Sequence, residues 1–302
     1  MQQLAELEQK FSIPDVCKFE QTANGLIRAV VSTALADATI YLQGAHLASW
    51  IPKGQRPVLF LSSHSALAPG KAIRGGVPVI FPWFGARSDG QPGPQHGFVR
   101  TAVWELTSTH SGDDGAFTIS FRFVSDDASS EYGYDGFELS YRLTIGGLLH
   151  MDLEVHNSSS HGLKIGEALH TYYAVSDVRQ ISVAGLDATV YLDHADHDQR
   201  KRLTGPVQFS AETDRIFINT ENTCTVEDPG WQRRIVIDKS GSRSTVVWNP
   251  WIEKAAQLKD LGSDEWPSMV CVETANAADN ILTIEAGQSH RMSATVRVEP
   301  IR

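Results

Sequence analysis

The sequence is poor in the features that mark secreted proteins and structural zinc proteins. Only three of its 302 residues are cysteines, and Cys17, Cys224 and Cys271 lie far apart with no C-x-x-C spacing. An odd number of scattered cysteines argues against a disulfide framework and against a structural zinc site. The pattern is typical of a reducing compartment, and we expect a cytoplasmic protein.

Long apolar runs and an excess of positive charge are also missing. No stretch approaches the ~18 apolar residues of a membrane span, and Glu6 and Glu8 interrupt the N-terminal region where a signal peptide would need an apolar segment. Acidic residues number 36 against 26 basic ones, which gives a net charge of −10. We therefore expect no membrane partner and no nucleic-acid partner. A small anionic partner would need locally placed arginines.

Several signatures of catalysis are absent as well. The chain has neither a Walker-type phosphate loop nor a G-x-S-x-G nucleophile turn, so nucleotide-dependent chemistry and nucleophilic hydrolysis have little support. His194 and His197 stand beside aspartates and invite a metal interpretation. Their surroundings, His-Ala-Asp-His-Asp-Gln-Arg-Lys-Arg, are typical of a solvated loop and match no familiar zinc motif. We predict no metal site.

The dominant positive pattern is alternation of apolar and polar residues with period two. It runs through 117–123, and it continues in 139–145 and 149–155 on either side of Gly146-Gly147. Such a pair predicts a β-hairpin with one buried and one exposed face. Two later pairs are interpreted in the same way: Arg234–Asp238 with Ser244–Trp248, and Ile281–Ile284 with the alternating residues from Met292 to Val298.

Helical pattern is scarce. Leu4, Leu7 and Phe11 predict one short helix, and 252–256 predicts another. Many short strands with glycine-rich turns indicate a β-sandwich or barrel. Without a linker or an internal repeat, the chain is interpreted as a single domain over residues 1–302. The segment 85–97 is rich in glycine and proline and predicts a long loop, which on a rigid β scaffold often carries function.

Two segments could bind an anion or hydroxyl groups. Arg74 precedes two glycines, which would let the backbone approach a ligand closely while the guanidinium reaches it. A surface arginine before a turn is the alternative. In the other segment, Gln95, His96 and Arg100 supply several hydrogen-bond donors on the glycine- and proline-rich loop. A polar loop with a structural histidine is the alternative there.

Two further residues are candidates for proton transfer. His170 stands among apolar and aromatic residues, where burial could bring its pKa near neutrality, although a satisfied core histidine would look the same. Glu273 ends a segment that looks like a buried strand. A carboxylate there must be paired, hydrogen-bonded or functional, because burying an unpaired charge is expensive.

Taken together and in order, these segments resemble the aldose 1-epimerase (mutarotase) superfamily, and within it the hexose-6-phosphate mutarotase branch. The resemblance extends from about residue 44 to about residue 280. It rests on Gly44–Trp50, Ile73–Pro78 with Phe84-Gly85, Gln95–Arg100, Ala168–Tyr172, Glu212–Phe217 and Val272–Asn276. Galactose-type mutarotases have an asparagine-arginine motif where this chain has Arg74-Gly75-Gly76, which favours the phosphorylated substrate.

The resemblance implies an all-β fold, a large antiparallel β-supersandwich of the galactose mutarotase type, with the sugar across a concave sheet. It implies that Glu273 is the catalytic base and His170 the catalytic acid. It further implies substrate binding by a set of polar residues, namely Arg74, Gln95, His96, Arg100 and Asp214. The expected activity is α/β interconversion of an aldohexose 6-phosphate by ring opening and closure. No metal and no cofactor is expected, the partner is a small sugar phosphate, and we expect a monomer.

Three other interpretations remain open. A mutarotase for a neutral or different sugar would keep the catalytic pair and change only the pocket. A non-catalytic sugar-binding or sensor protein would keep Arg74, Arg100 and Asp214 without needing His170 beside Glu273. A hydrolase or lyase would need two carboxylates at a suitable separation, for which Asp214 and Glu273 are the candidates.

Overall fold

The computed structural model describes residues 2–301, and most of its regular structure is short strands. The α-helices are α1 (Gln2–Phe11), α2 (Asp127–Glu131) and α3 (Trp251–Ala255). The first eleven strands are β1 (Cys17–Gln21), β2 (Ile27–Ser32), β3 (Ala36–Tyr41), β4 (His46–Pro52), β5 (Val79–Ile80), β6 (Glu105–Ser111), β7 (Phe117–Val124), β8 (Phe137–Ile145), β9 (Leu149–Asn157), β10 (Leu163–Ile165) and β11 (Glu167–Leu169). The others are β12 (Tyr172–Ala174), β13 (Ser182–Ala184), β14 (Val190–Asp193), β15 (Gln199–Arg202), β16 (Thr213–Ile218), β17 (Cys224–Asp228), β18 (Arg233–Ser240), β19 (Ser244–Asn249), β20 (Met269–Asn276), β21 (Leu282–Ile284) and β22 (Ser289–Pro300).

Two eight-stranded antiparallel sheets dominate the fold. We call one the site sheet: its order is β15-β14-β16-β19-β20-β11-β5, with β12 also paired to β20. The back sheet has the order β13-β17-β18-β22-β9-β8-β7-β6. A four-stranded sheet of β1 to β4 and the two-stranded pair β10-β21 complete the pairing. The expected all-β architecture with antiparallel sheets is confirmed.

One continuous apolar core joins the two large sheets. The back sheet contributes alternate residues such as Phe121, Leu153 and Val296, and the site sheet contributes Val247 and Val272, all nearly inaccessible to solvent. The opposite face of the site sheet carries a smaller apolar cluster, made of Ile80, Ala168, Ile216, Ile218, Val246, Ala275 and Ala277. The site sheet is therefore buried on one face by the core and partly covered on the other.

The segments that local patterns predicted as strands or helices are strands or helices in the structure. β8 and β9 form the predicted hairpin, in which Ile145 pairs with Leu149 across the turn. Both predicted helices are present as α1 and α3. Within residues 2–301 no helix is long and apolar enough to cross a membrane.

Two predicted hairpins are wrong in their pairing. β18 and β19 follow one another in sequence, but β18 pairs with β17 and β22 in the back sheet, whereas β19 pairs with β16 and β20 in the site sheet. The intervening Gly241 has φ +67°, and a Cβ there would collide with the carbonyl of Arg291. The turn thus carries the chain from one sheet to the other. Likewise β21 pairs with β10, and β22 pairs with β18 and β9.

Candidate active site

The two predicted proton-transfer residues are cross-strand neighbours on the site sheet. β11 pairs with β20 so that Leu169 faces Thr274, and β12 pairs with the same strand so that Tyr172 faces Cys271. The same register runs through the two intervening residues, which puts His170 opposite Glu273. Residues directly opposite in an antiparallel pair have Cβ atoms about 4.5–5.5 Å apart. Backbone pairing alone therefore brings together side chains that are 103 positions apart in sequence (273 − 170).

The side chains of this pair meet in a buried position. His170 Nε2 lies 3.4 Å from Glu273 Oε1, with the side chains 8% and 1% exposed. Glu273 lies in the middle of β20, whose eight residues are all buried, rather than at its end. Within residues 2–301, His170 Nδ1 and Glu273 Oε2 have no hydrogen-bond partner. Buried polar atoms are normally satisfied, so two orphaned atoms in one pair indicate a functional site.

Burial also governs the protonation of the pair. It raises the pKa of Glu273 well above its ordinary value, and a neighbouring carboxylate adds to the effect. It lowers the pKa of His170 well below its ordinary value, and a second histidine and two arginines act in the same direction. A protonated carboxyl beside a neutral imidazole is the resulting resting arrangement. The pair then holds one proton that can reside on either side chain.

Arg74 reaches this pair through an aromatic side chain. Its Nη1 donates a 3.0 Å hydrogen bond to the Tyr172 hydroxyl, and the Tyr172 ring stacks on His170 with centroids 4.8 Å apart and planes 10° apart. The Nη2 of Arg74 donates to Asp260 Oδ1 at 3.1 Å. The guanidinium is therefore fixed in place and already has a carboxylate counter-ion in the free protein.

The two glycines after Arg74 serve backbone packing. Gly75 has φ +113°, and a Cβ there would lie 2.4 Å from the carbonyl oxygen of Phe60; at Gly76, with φ +61°, it would lie 2.3 Å from that of Leu47. These neighbours are protein backbone, so the close approach is not to a ligand. The glycines instead let the 74–76 segment pass between two other segments while Arg74 projects toward Tyr172.

The predicted loop 85–97 brings a second histidine against the first. The His96 ring lies edge-on to His170, with centroids 5.4 Å apart and planes at 79°, and packs similarly on Phe84. His96 Nδ1 accepts a hydrogen bond from the Gly85 amide, and burial lowers the pKa of His96 to about 3, with Arg100 and Arg74 adding to the shift. His96 is therefore a neutral imidazole with its proton on Nε2, a hydrogen-bond donor rather than an acid.

Arg100 and Gln95, which flank His96, are joined by a hydrogen bond. The Nη2 of Arg100 donates a 2.7 Å hydrogen bond to the backbone carbonyl of Gln95, and the Arg100 charge is close enough to affect both His96 and His170. Gln95 itself is exposed. Its observed contribution is to hold Arg100 through the main chain, and hydroxyl binding by its side chain stays a prediction.

Asp214 lies on β16, two strands away from Glu273 on the site sheet. It pairs with Trp248, which pairs with Cys271, so Tyr172, Cys271, Trp248 and Asp214 form one cross-strand row. Burial raises the pKa of Asp214. The charge of Asp214 in turn acts on Glu273.

The charged stretch near residue 194 borders Asp214; it is mostly exposed, as predicted, but only part of it is loop. It forms the hairpin β14–β15 at the edge of the site sheet, joined by a 3-10 turn over His194–Asp196. The His194 charge acts on Asp214, and His194 itself pairs with Asp198. One edge of the candidate site is therefore formed by this hairpin.

Sequence reasoning missed three residues that complete the site: Tyr172, Trp248 and Asp260. Tyr172 was signalled by its place two residues after His170, because period-two alternation puts both on one face. Trp248 lies opposite Asp214 on the neighbouring strand. That pairing depends on strand register, which a single sequence does not reveal. Asp260 lies in a loop after α3 with no motif around it.

Comparison with known proteins identifies the family of the chain. The model of the family described as "Aldose 1-epimerase" matches residues 30–297. The chain belongs to the aldose 1-epimerase family. An Escherichia coli (strain K12) relative named "Putative glucose-6-phosphate 1-epimerase" is 33% identical over 270 residues, which are 89% of this chain and 89% of the relative.

Solved structures of family proteins have the same fold. A crystal structure described as "a putative mutarotase" from Salmonella typhimurium is 31% identical, with a TM-score of 0.87 over 96% of both chains. The galactose mutarotase related enzyme from Lactobacillus acidophilus, at 14% identity, has a TM-score of 0.72 over 91% of this chain and 98% of its own. This aldose 1-epimerase family member thus has the galactose mutarotase-like fold.

Proposed function

We propose that the protein is a hexose-6-phosphate mutarotase, a glucose-6-phosphate 1-epimerase. The observation that carries the proposal is the buried His170–Glu273 pair, 3.4 Å apart with an orphaned atom on each side chain, beside two arginines. Mutarotation needs one proton removed from the C1 hydroxyl and one delivered to the ring oxygen. A pair that shares a single proton suits this reaction, because the proton count on the enzyme is the same before and after.

In the proposed reaction, Glu273 as carboxylate takes the C1 hydroxyl proton while His170 as imidazolium protonates O5, and the C1–O5 bond breaks to give the open aldehyde. Rotation about C1–C2 then presents the other carbonyl face. Closure reverses the roles: His170 removes the O5 proton as the C1–O5 bond forms, and Glu273 returns a proton to the new hydroxyl. Each such group contributes about 10²–10⁴-fold.

The reactive form of the pair requires the shared proton to pass from Glu273 to His170. The charges of Arg74 and Arg100 oppose imidazolium formation in the free protein. An anionic group bound by these arginines would offset their charge and favour the imidazolium. This is a physical reason for a phosphorylated substrate, and the name of the E. coli relative supports the same substrate class.

The second candidate function is mutarotation of a neutral sugar. The observation that favours it is the ion pair between Arg74 and Asp260, in which the guanidinium already has a counter-ion. A neutral sugar would leave that pair intact. A phosphate would have to displace Asp260 or bind beside it.

Exchange NMR decides between them by following α/β interconversion of glucose 6-phosphate and of glucose. We expect fast exchange of the phosphate sugar only. Arg74→Ala should lower kcat/KM for the phosphate sugar about 10–100-fold, because it removes charge-assisted hydrogen bonds worth about 1.5–3 kcal/mol. Equal losses for both sugars would contradict the phosphate assignment.

Asp260→Asn should have the opposite effect to Arg74→Ala, because it removes the carboxylate that competes with a phosphate for the Arg74 guanidinium. Its KM for the phosphate sugar should fall several-fold. Asp264→Asn, in an exposed position of the same loop, is the matched control and should change nothing.

A further inference from the structure

We propose that His170, Cys271 and Glu273 form a binding site for Zn²⁺, and that zinc inhibits the protein by occupying its acid/base pair. Within residues 2–301, this is the one group of three side chains whose possible metal-ligating atoms all lie within 4.8 Å of one another. The inhibition rests on the proposed function. The binding does not, since it depends only on the three side chains.

The spacing of the three side chains is close to that of a zinc site. Zn²⁺ holds nitrogen and carboxylate oxygen at about 2.0–2.2 Å and thiolate sulfur at about 2.3 Å, so neighbouring ligand atoms in a tetrahedral site are about 3.3–3.8 Å apart. The His170–Glu273 distance of 3.4 Å already falls in this range. The remaining separations, at most 4.8 Å, need to close by up to about 1.0–1.5 Å.

The strand register explains why these three ligands converge. Glu273 and Cys271 are two residues apart on β20, so they share a face of the site sheet, and His170 lies opposite Glu273. All three side chains are fixed by the backbone of the buried sheet. A site on rigid strands loses little conformational entropy when the metal binds.

An unsatisfied carboxylate is the second observation that points to a ligand here. Glu273 is 1% exposed, and its Oε2 has no hydrogen-bond partner within residues 2–301. Coordination of a cation would satisfy it. Cys271 has no part in the proposed acid/base chemistry, so its sulfur is available as the third ligand.

The ligand set selects the type of metal. One imidazole, one thiolate and one carboxylate suit zinc, whereas Mg²⁺ and Ca²⁺ prefer all-oxygen sites. On binding, the Cys271 thiol and the Glu273 carboxyl each lose a proton to solvent, and the resulting thiolate and carboxylate together balance the charge of the cation. Of the nearby charges, Arg74 is paired with Asp260, and Asp214 places a further carboxylate close enough to act on Cys271.

Bound zinc would block the proposed reaction directly. The lone pairs of His170 Nε2 and Glu273 would be held by the metal and could not accept or transfer a proton. The sugar ring must contact the same two atoms. Zinc and substrate are therefore expected to compete, so that zinc raises the apparent KM and leaves kcat unchanged.

Cobalt spectroscopy tests the binding without reference to activity. Co²⁺ added to the full-length, metal-free protein should give a thiolate-to-cobalt charge-transfer band and the strong visible bands of a four-coordinate ion, and Zn²⁺ should abolish both. Cys224→Ser, which alters a buried free cysteine outside the site, is the matched control and should behave like the unaltered protein.

Cys271→Ser should lose the charge-transfer band and bind Zn²⁺ at least about tenfold more weakly, since even partners outside the first coordination shell are worth about 10–100-fold. Cys271→Ala serves if the serine variant does not fold. Zinc inhibition of mutarotation should weaken in parallel.

Absence of a thiolate band in the unaltered protein, or equal Zn²⁺ affinity after Cys271→Ser, would overturn the proposed site. A protein that gives the band but accelerates no sugar would keep the metal site and refute the proposed function. If the protein gives the thiolate band and accelerates mutarotation but zinc and sugar do not compete, only the proposed inhibition would be overturned.

Discussion

The site sheet carries two buried glutamate–histidine pairs on its opposite faces. One contains Glu167 and the other contains His170, three positions later in the sequence. In one, Glu167 Oε1 accepts a 2.8 Å hydrogen bond from Asn276 Nδ2 and forms an ion pair with His290 Nε2 at 3.0 Å. In the other, His170 and Glu273 stand 3.4 Å apart, too far for a strong hydrogen bond. The same residue types therefore give a bonded cluster on the core face and an open pair on the outer face.

The surroundings shift the pKa values of the two histidines in opposite directions. Burial lowers the pKa of His290, but the hydrogen bond and charge of Glu167 outweigh it, and the pKa is raised overall. The pKa of His170 is lowered well below its ordinary value. The bonded pair of Glu167 and His290, in which the pKa of the histidine is raised, is a structural element. A pair whose partners are both shifted toward neutrality, with no donors to hold the carboxylate, is suited to moving a proton.

The largest expected effect is on the open pair. Glu273→Gln should lower kcat by about 10²–10⁴-fold, because one proton-transfer group is lost. The thermal midpoint should stay the same or rise, since a buried carboxyl with an unpartnered oxygen is replaced by a neutral amide. Exchange NMR and calorimetry on the same preparation measure both. A clear loss of stability would mean that this glutamate, too, is structural.

The bonded pair should give the reverse outcome. Glu167→Gln should lower the free energy of unfolding by about 1–3 kcal/mol, because a charge-assisted bond is removed from a fully buried group. The rate of mutarotation should remain within about tenfold of the original. Urea unfolding followed by tryptophan fluorescence measures the first, and a loss of activity without loss of stability would reverse the comparison.

The smallest effect is a pH dependence of stability that belongs to the bonded pair. The pKa of His290 is raised in the folded protein, so its contribution to stability is fully present below the unfolded pKa of about 6.5 and is lost as pH rises through the raised folded value. Urea midpoints measured from pH 6 to pH 9 should therefore decline more in the unaltered protein than in His290→Gln. Parallel curves would show that His290 stays neutral.

Alternation in the sequence predicted β7, β8 and β9, because a strand with one buried face has a period-two pattern in its local sequence. It failed at Ser240-Gly241-Ser242, where a hairpin was predicted and the chain instead changes sheets. The turn is held by the bonded pair itself, since Asn276 Nδ2 and His290 Nε2 both contact the Gly241 carbonyl at 2.8 and 2.9 Å. A glycine turn between two apolar runs has the same local pattern whether the strands pair or diverge.

The sequence predicted several individual residues of the candidate site, but it did not predict which of their side chains lie close together. His170 and Glu273 were singled out because an isolated ionisable residue in an apolar strand needs a reason, and Arg74 because of its glycines. Their convergence depends on the register between distant strands, which no local pattern contains. For the same reason the partners Asp260 and Trp248 were missed, and the glycines after Arg74 were assigned to ligand approach rather than to backbone packing.

The continuous register through His170 separates two tasks between two kinds of structure. The distance between the proton-transfer groups is set by strand pairing in the middle of a buried sheet, whereas Arg74, His96, Arg100 and Asp260 come from the segments around it. Changes in those segments can alter which sugar is held without altering the reacting pair. A scaffold of this kind can acquire new substrates by drift in its loops while it inherits its chemistry unchanged.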